Sequence, residues 1–138
     1  MKKGSTLIEL ILVVAMLIIL GAMNLPLVSR MLYRNKATVV VEQVVAFARK
    51  AQTYAMGRKN NDVWGICIVS NKLRLYQNNC NSPTMKDDYD FGAEVTASDM
   101  NLVFDFKGQT TTNSIVVHSQ TEDITVNISD IGVVNVQK

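Results

Sequence analysis

The side chains best able to do chemistry in this sequence are few, and their spacing restricts what they can do. Cys67 and Cys80 are its two cysteines. In an oxidising compartment such a pair forms a bridge, and closing a loop of about 15 residues contributes roughly 3 kcal/mol on a chain-entropy estimate. A hairpin turning at Ser70 and Asn71 sets Cys67 against Arg74, so Cys80 has to return through a loop to meet it; the alternative is two buried or free thiols. His118 is the single histidine and stands in a strand-like stretch. That excludes a multi-histidine metal site and leaves a packed or edge imidazole. Asp87, Asp88, Asp90 and Glu94 gather carboxylates, but their spacing departs from the EF-hand pattern, and a solvated acidic loop is expected in place of a calcium site. Asn127-Ile128-Ser129 fits a glycosylation sequon too common to carry a function. No nucleophile and base fall into a recognisable arrangement, so no catalytic residue, no metal and no cofactor is expected.

The elements that would position these residues begin with an apolar run. From Leu10 to Met23 no charged or strongly polar side chain occurs. Extended from Leu7 to Val28, the segment reaches the roughly 20 residues a helix needs to cross a bilayer core. A helix buried inside the protein is the alternative, and a chain of 138 residues could hardly surround it on all sides. The charge balance is mild at +2, too small for a protein that coats nucleic acid. Fourteen basic residues less Lys2 and Lys3 leave twelve, equal to the twelve acidic ones. An ordinary secretory cleavage after Ala22 would put Leu20 where a small residue is wanted, which fits poorly. Glu9 stands out, because a carboxylate in the apolar part of a membrane helix costs about 2.5 to 3.5 kcal/mol. It either reaches the interface and favours the positive end of the helix dipole or meets a counter-charge elsewhere.

Lys3-Gly4 followed by Ser5-Thr6-Leu7-Ile8-Glu9-Leu10 resembles the leader and mature N-terminus of type IV pilins and type II secretion pseudopilins. The resemblance implies a leader over residues 1–4, cleavage between Gly4 and Ser5 by a prepilin peptidase on the cytoplasmic side, and methylation of the new amino group. Ser5 departs from the phenylalanine usual there. Glu9 takes the family's place for an acid that meets the amino terminus of a neighbouring subunit, and two charges buried together are tolerable where one alone is costly. Pro26 falls where pilins carry a helix-breaking proline and, with Gly21, makes a weak stretch; a simple end of the membrane helix is the other reading. Other pilin subunits, an inner-membrane assembly platform and the membrane itself are the implied partners. The implied location is a single-pass inner-membrane protein with an extracytoplasmic head that enters a pilus or pseudopilus. Arg30, Arg34 and Lys36 follow the apolar segment and run against a clean positive-inside pattern.

After Pro26 the apolar residues fall into a stripe: Ala37, Val40, Val41, Val44, Phe47, Ala48, Ala51, Tyr54 and Ala55. Lys36, Glu42, Gln43, Arg49, Lys50 and Gln52 lie opposite. Gly57 is placed to stop the helix in a left-handed cap, so residues 5–28 would serve membrane and filament and 29–57 would lie on the head. A helix from Ser5 to Met56 would be roughly 80 Å long.

Residues 58–138 read as an antiparallel β head, giving an α+β fold. A hairpin is expected over Val63–Val69 and Lys72–Tyr76, a long polar loop over Gln77–Asp90, and strands at Asn101–Phe106, Ser114–Ser119, Ile124–Ile128 and Val133–Val136. The run from Leu102 to Val134 and the helix text Phe47-Ala48-Arg49-Lys50-Ala51-Gln52 are similar to the minor pseudopilin H and fimbrial T group. That implies a structural subunit taking part in pilus or pseudopilus assembly and no enzyme. The alternative is a DNA-binding minor pilin of a DNA-uptake pilus. Relatives of that kind carry a basic turn after the glycine, whereas Gly132 precedes Val133, Val134 and Asn135 and only Lys138 remains.

Overall fold

The computed structural model describes residues 6–137, with the side chains of 23–27 left aside. The leader, Gly4 and Ser5 therefore lie outside the described residues, as does the side chain of Pro26. Contacts divide the chain into two units, the first ending at Leu32 and the second starting at Tyr33.

A single helix, α1 (Leu7–Met56), crosses that boundary. The helix runs through Gly21 and Pro26 without interruption, so it does not end at that point. Proline still has no N–H to donate at that turn. In the second unit the predicted stripe is the buried face: Ala37, Val40, Val41, Val44, Ala48, Ala51 and Ala55 are buried, and Phe47 and Tyr54 pack beside them. The small alanines let the sheets approach closely, and each buried valine contributes about 1.5 to 3 kcal/mol. The helix stops at Met56, but Gly57 is not the left-handed residue. Arg58 takes that conformation at φ 47°, followed by a short 3-10 turn, Lys59–Asn61, in which Asn60 and Asn61 also have positive φ.

Eight strands follow: β1 (Trp64–Val69), β2 (Lys72–Gln77), β3 (Lys86–Asp90), β4 (Val95–Ala97), β5 (Met100–Phe104), β6 (Asn113–Ser119), β7 (Asp123–Ile128) and β8 (Val134–Gln137). They form two four-stranded sheets, ordered β3-β2-β1-β5 and β4-β6-β7-β8, and every pairing is antiparallel. The antiparallel head expected from the sequence is thus divided between two sheets. Ser70 and Asn71 are both left-handed, the geometry a two-residue hairpin turn demands, and they set Cys67 opposite Arg74 as expected. The helix stripe, Ile66, Ile68, Leu73, Leu75 and Leu102 of the first sheet, and Ile115, Val117, Ile124, Val126 and Ile128 of the second share one core.

Candidate functional site

Residues that carried chemistry in the sequence are scattered over the described structure, and each has a local physical role. Cys67 and Cys80 are joined in a disulfide, with Cα atoms 6.2 Å apart. Cys67 projects from the face of β1 opposite the main core, and the bridge pulls the segment after β2 over that face. Tyr76 completes this second, smaller cluster. Its ring lies over Gly65, directly opposite on β1, and its hydroxyl donates to Asn101 Oδ1 at 2.6 Å. Burial pushes the Tyr76 phenol above its ordinary value. A Cβ on Gly65 would sit 2.4 Å from the Leu102 carbonyl and 2.6 Å from the Tyr76 hydroxyl, so this position has room only for glycine. The sequence reading passed over this arrangement. A glycine inside an alternating strand was the available signal.

The acidic residues do not form a solvated loop. Asp87, Asp88 and Asp90 lie on β3, whose register sets Asp90 opposite Lys72 and Asp88 opposite Arg74. Arg74 grips Asp88 with two nitrogens, at 2.7 and 3.1 Å, and this holds the Asp88 carboxyl below its ordinary range. Lys50 on α1 reaches Asp87 at 2.8 Å, Lys72 lies 3.3 Å from Asp90, and Lys36 lies 2.6 Å from Glu94. The alternation in Lys72-Leu73-Arg74 against Asp88-Tyr89-Asp90 is the complementary pattern that would have revealed β3. Among the described residues no cluster of three metal-ligating side chains occurs. His118 lies exposed at the rim, 2.9 Å from Asp123 on the neighbouring strand.

Gln52, read as a solvent-facing residue, instead fastens two turns to the helix. Its Nε2 donates to the carbonyls of Gly108 and Ile131, at 2.9 and 3.2 Å. Gly108 and Gly132 both have φ 77°, and a Cβ on Gly132 would lie 2.3 Å from that amide nitrogen. Beside this end of the helix an open groove of about 600 Å³ is lined by Arg58, Asp62, Phe104, Asp105, Phe106 and Thr110, among others. Its polar groups are engaged locally: the Thr110 hydroxyl donates to Val103 O, and Asp105 Oδ1 accepts from the N–H groups of Lys107 and Gln109.

The remaining candidate is the first half of α1. Glu9 sits in the first turn, its backbone N–H donating to Thr6 O at 3.0 Å. Around it Leu7, Ile8 and Leu10 are 78%, 73% and 61% exposed, and the apolar residues from Ile11 to Leu20 are exposed as well. Among the described residues no helix is long and apolar enough to cross a membrane.

A long N-terminal helix packed on antiparallel sheets is the architecture of the pilin fold. A solved example with this fold is the minor pseudopilin EpsH from the type 2 secretion system of Vibrio cholerae. The match has a TM-score of 0.59 and 11% sequence identity, and covers 74% of this chain and 96% of that one. No protein family and no curated protein matches the sequence.

Proposed function

We propose that this chain is a minor pilin or pseudopilin, a structural subunit of an extracytoplasmic filament. One observation carries the proposal: from Leu7 to Leu20 the aliphatic side chains of α1 are exposed around its whole circumference. Such a surface has to be covered by lipid or by other subunits. The fold shared with a pseudopilin supports the second environment, and residues 5–28 taken together have the length to occupy the first. In this scheme the precursor enters the inner membrane and a prepilin peptidase cuts between Gly4 and Ser5. Glu9 then neutralises the freed amino terminus of a neighbouring subunit inside the filament. The Cys67–Cys80 bridge accords with a head outside the cytoplasm.

DNA binding has less support. Arg34, Lys36, Lys50, Lys72, Arg74 and Lys86 are already paired with carboxylates, and a net charge of +2 gives little attraction for a polyphosphate chain.

Intact mass of the protein extracted from its host's membranes tests the processing step: loss of Met1 to Gly4 is expected, and their retention in the functioning protein overturns the assignment. Gly4→Ala should block the trimming. Glu9→Ala should insert normally and fail to enter filaments; normal incorporation would refute the counter-charge role.

A further inference from the structure

A second, smaller pocket of about 230 Å³ opens where the end of α1 meets β1, β2 and β3. Lys50 and Tyr54, one turn apart on α1, present the same face to it. Its apolar wall is made by Tyr54, the buried Trp64 and Leu75, and Met85. Tyr54 and Trp64 meet edge to face, with ring centroids 4.8 Å apart.

Three ammonium groups line this wall, those of Lys50, Lys59 and Lys86, against one carboxylate, that of Asp87. Lys50 takes Asp87 at 2.8 Å. Lys86 is left 3.7 Å from Asp88, whose carboxylate two Arg74 nitrogens already grip. Lys59 has no carboxylate partner among the described residues. Its Nζ lies instead 3.8 Å from the centroid of the Tyr54 ring and 5.5 Å from that of Trp64. Aromatic faces hold a cation in place without neutralising it. The backbone beneath is anchored as well: the Lys59 carbonyl accepts from Trp64 Nε1 at 2.9 Å, and Arg58 and Asn60 on either side are both left-handed.

We infer that this pocket binds a phosphomonoester, its phosphate set between the ammonium groups of Lys59 and Lys86 and its organic part against the aromatic wall. The volume falls below the roughly 300 Å³ at which sites for drug-sized ligands begin, so one small group enters. No arginine lines it, so there is no fork to match a planar carboxylate, whereas ammonium groups act as point charges suited to phosphate. The lining carries a surplus of two positive charges, and a phosphomonoester brings close to two negative ones near neutrality. A phosphodiester, with one, matches less well. The inference stands apart from the filament reading, since neither Glu9 nor the leader takes part.

Trp64 is the chain's single tryptophan, so its emission reads the pocket directly. Full-length chain in neutral detergent micelles, titrated with inorganic phosphate or with glycerol phosphate, should show a saturable change in that emission. Dimethyl phosphate, a diester with one charge, should bind several-fold more weakly. Lys59→Gln and Lys86→Gln should each weaken phosphate binding about tenfold, and Lys107→Gln, which removes a cation outside the pocket, should leave it unchanged. Phosphatidic acid carried in the same micelles separates the sources: saturation at a lower concentration than glycerol phosphate supports a lipid headgroup as the ligand, and the reverse order supports a soluble ester. No saturable change with any of these compounds, equal binding of dimethyl phosphate, unchanged affinity in both pocket variants, or an equal loss in Lys107→Gln overturns the inference.

Discussion

The two halves of α1 are built from similar side chains and treat them in opposite ways. Before Ala22 the aliphatic residues point in every direction and stay exposed, as Leu17 at 64% and Ile18 at 66% show; after Tyr33 most of them fall in one stripe and are buried, as Val44 at 0% and Val40 at 2% show, while Val39, off the stripe, is 44% exposed. The periodicity therefore tells which environment covers a helix. A stripe with polar residues opposite is answered by the protein's own sheets, and an uninterrupted apolar circumference is left for something outside the chain.

The comparison breaks first at single buried positions. Val44→Asp places an unpaired charge in the shared core and should cost the head about 4 kcal/mol or more, enough to abolish its cooperative unfolding transition. Leu17→Ser should leave that transition within about 0.5 kcal/mol of wild type, measured by near-UV circular dichroism of the full chain. An equal loss from both would erase the distinction. Next comes the disulfide, which closes a separation of 13 residues. Cys67→Ser should cost about 3 kcal/mol by denaturant titration, all of it in the head. Gln52→Ala removes the amide that fastens two turns to the second half of the helix, and should cost about 1 kcal/mol while leaving the first half's helicity unchanged.

The smallest expected effect concerns acid. Arg74 holds the Asp88 carboxyl below its ordinary 3.8. The Gly92 N–H and then Lys72 do the same for Asp90, and Lys36 for Glu94, whose ordinary value is 4.5. Because these values are lowered on folding, the stability they contribute is present above the ordinary carboxylate values and is lost as pH falls through the lower folded ones. Asp88→Asn should flatten the fall in the head's thermal midpoint below the ordinary aspartate value and cost about 0.5 kcal/mol near neutrality. A steeper acid dependence in that variant would mean that the Arg74 pair does not stabilise the head.

Much of this division was legible beforehand. The stripe from Ala37 to Ala55 named the buried helix face residue by residue, because a period near 3.6 has one physical solution. The Ser70-Asn71 turn fixed the first hairpin and thereby the place of Cys67. Strands β3 and β4 were missed for a different reason. Strand β3 has no apolar alternation of its own and is held by ion pairs to β2 and by Lys50 on the helix; β4 alternates over three residues only, too short a run to stand out, and is held by its ladder with β6. Such pairings belong to the partner strand as much as to the segment, and a window on one segment does not contain them. The left-handed residue at the helix end was misplaced by one because Gly57 continues the helical hydrogen bonding to Thr53 O, which passes the reversal on to Arg58. The Gln52 contact depends on two glycine turns more than fifty residues away in sequence, and nothing local in the helix announces it.

Tyr76, sealed beneath the bridged segment, supplies the head with an optical gauge of its own integrity. Its phenol is kept neutral above the ordinary 10.0 by desolvation, so the contribution it makes is present below that value and fades as alkali carries the pH through the higher folded one. In an alkaline absorbance titration this ring would ionise only above the ordinary value, its lag reporting how firmly the clamp over Gly65 is closed.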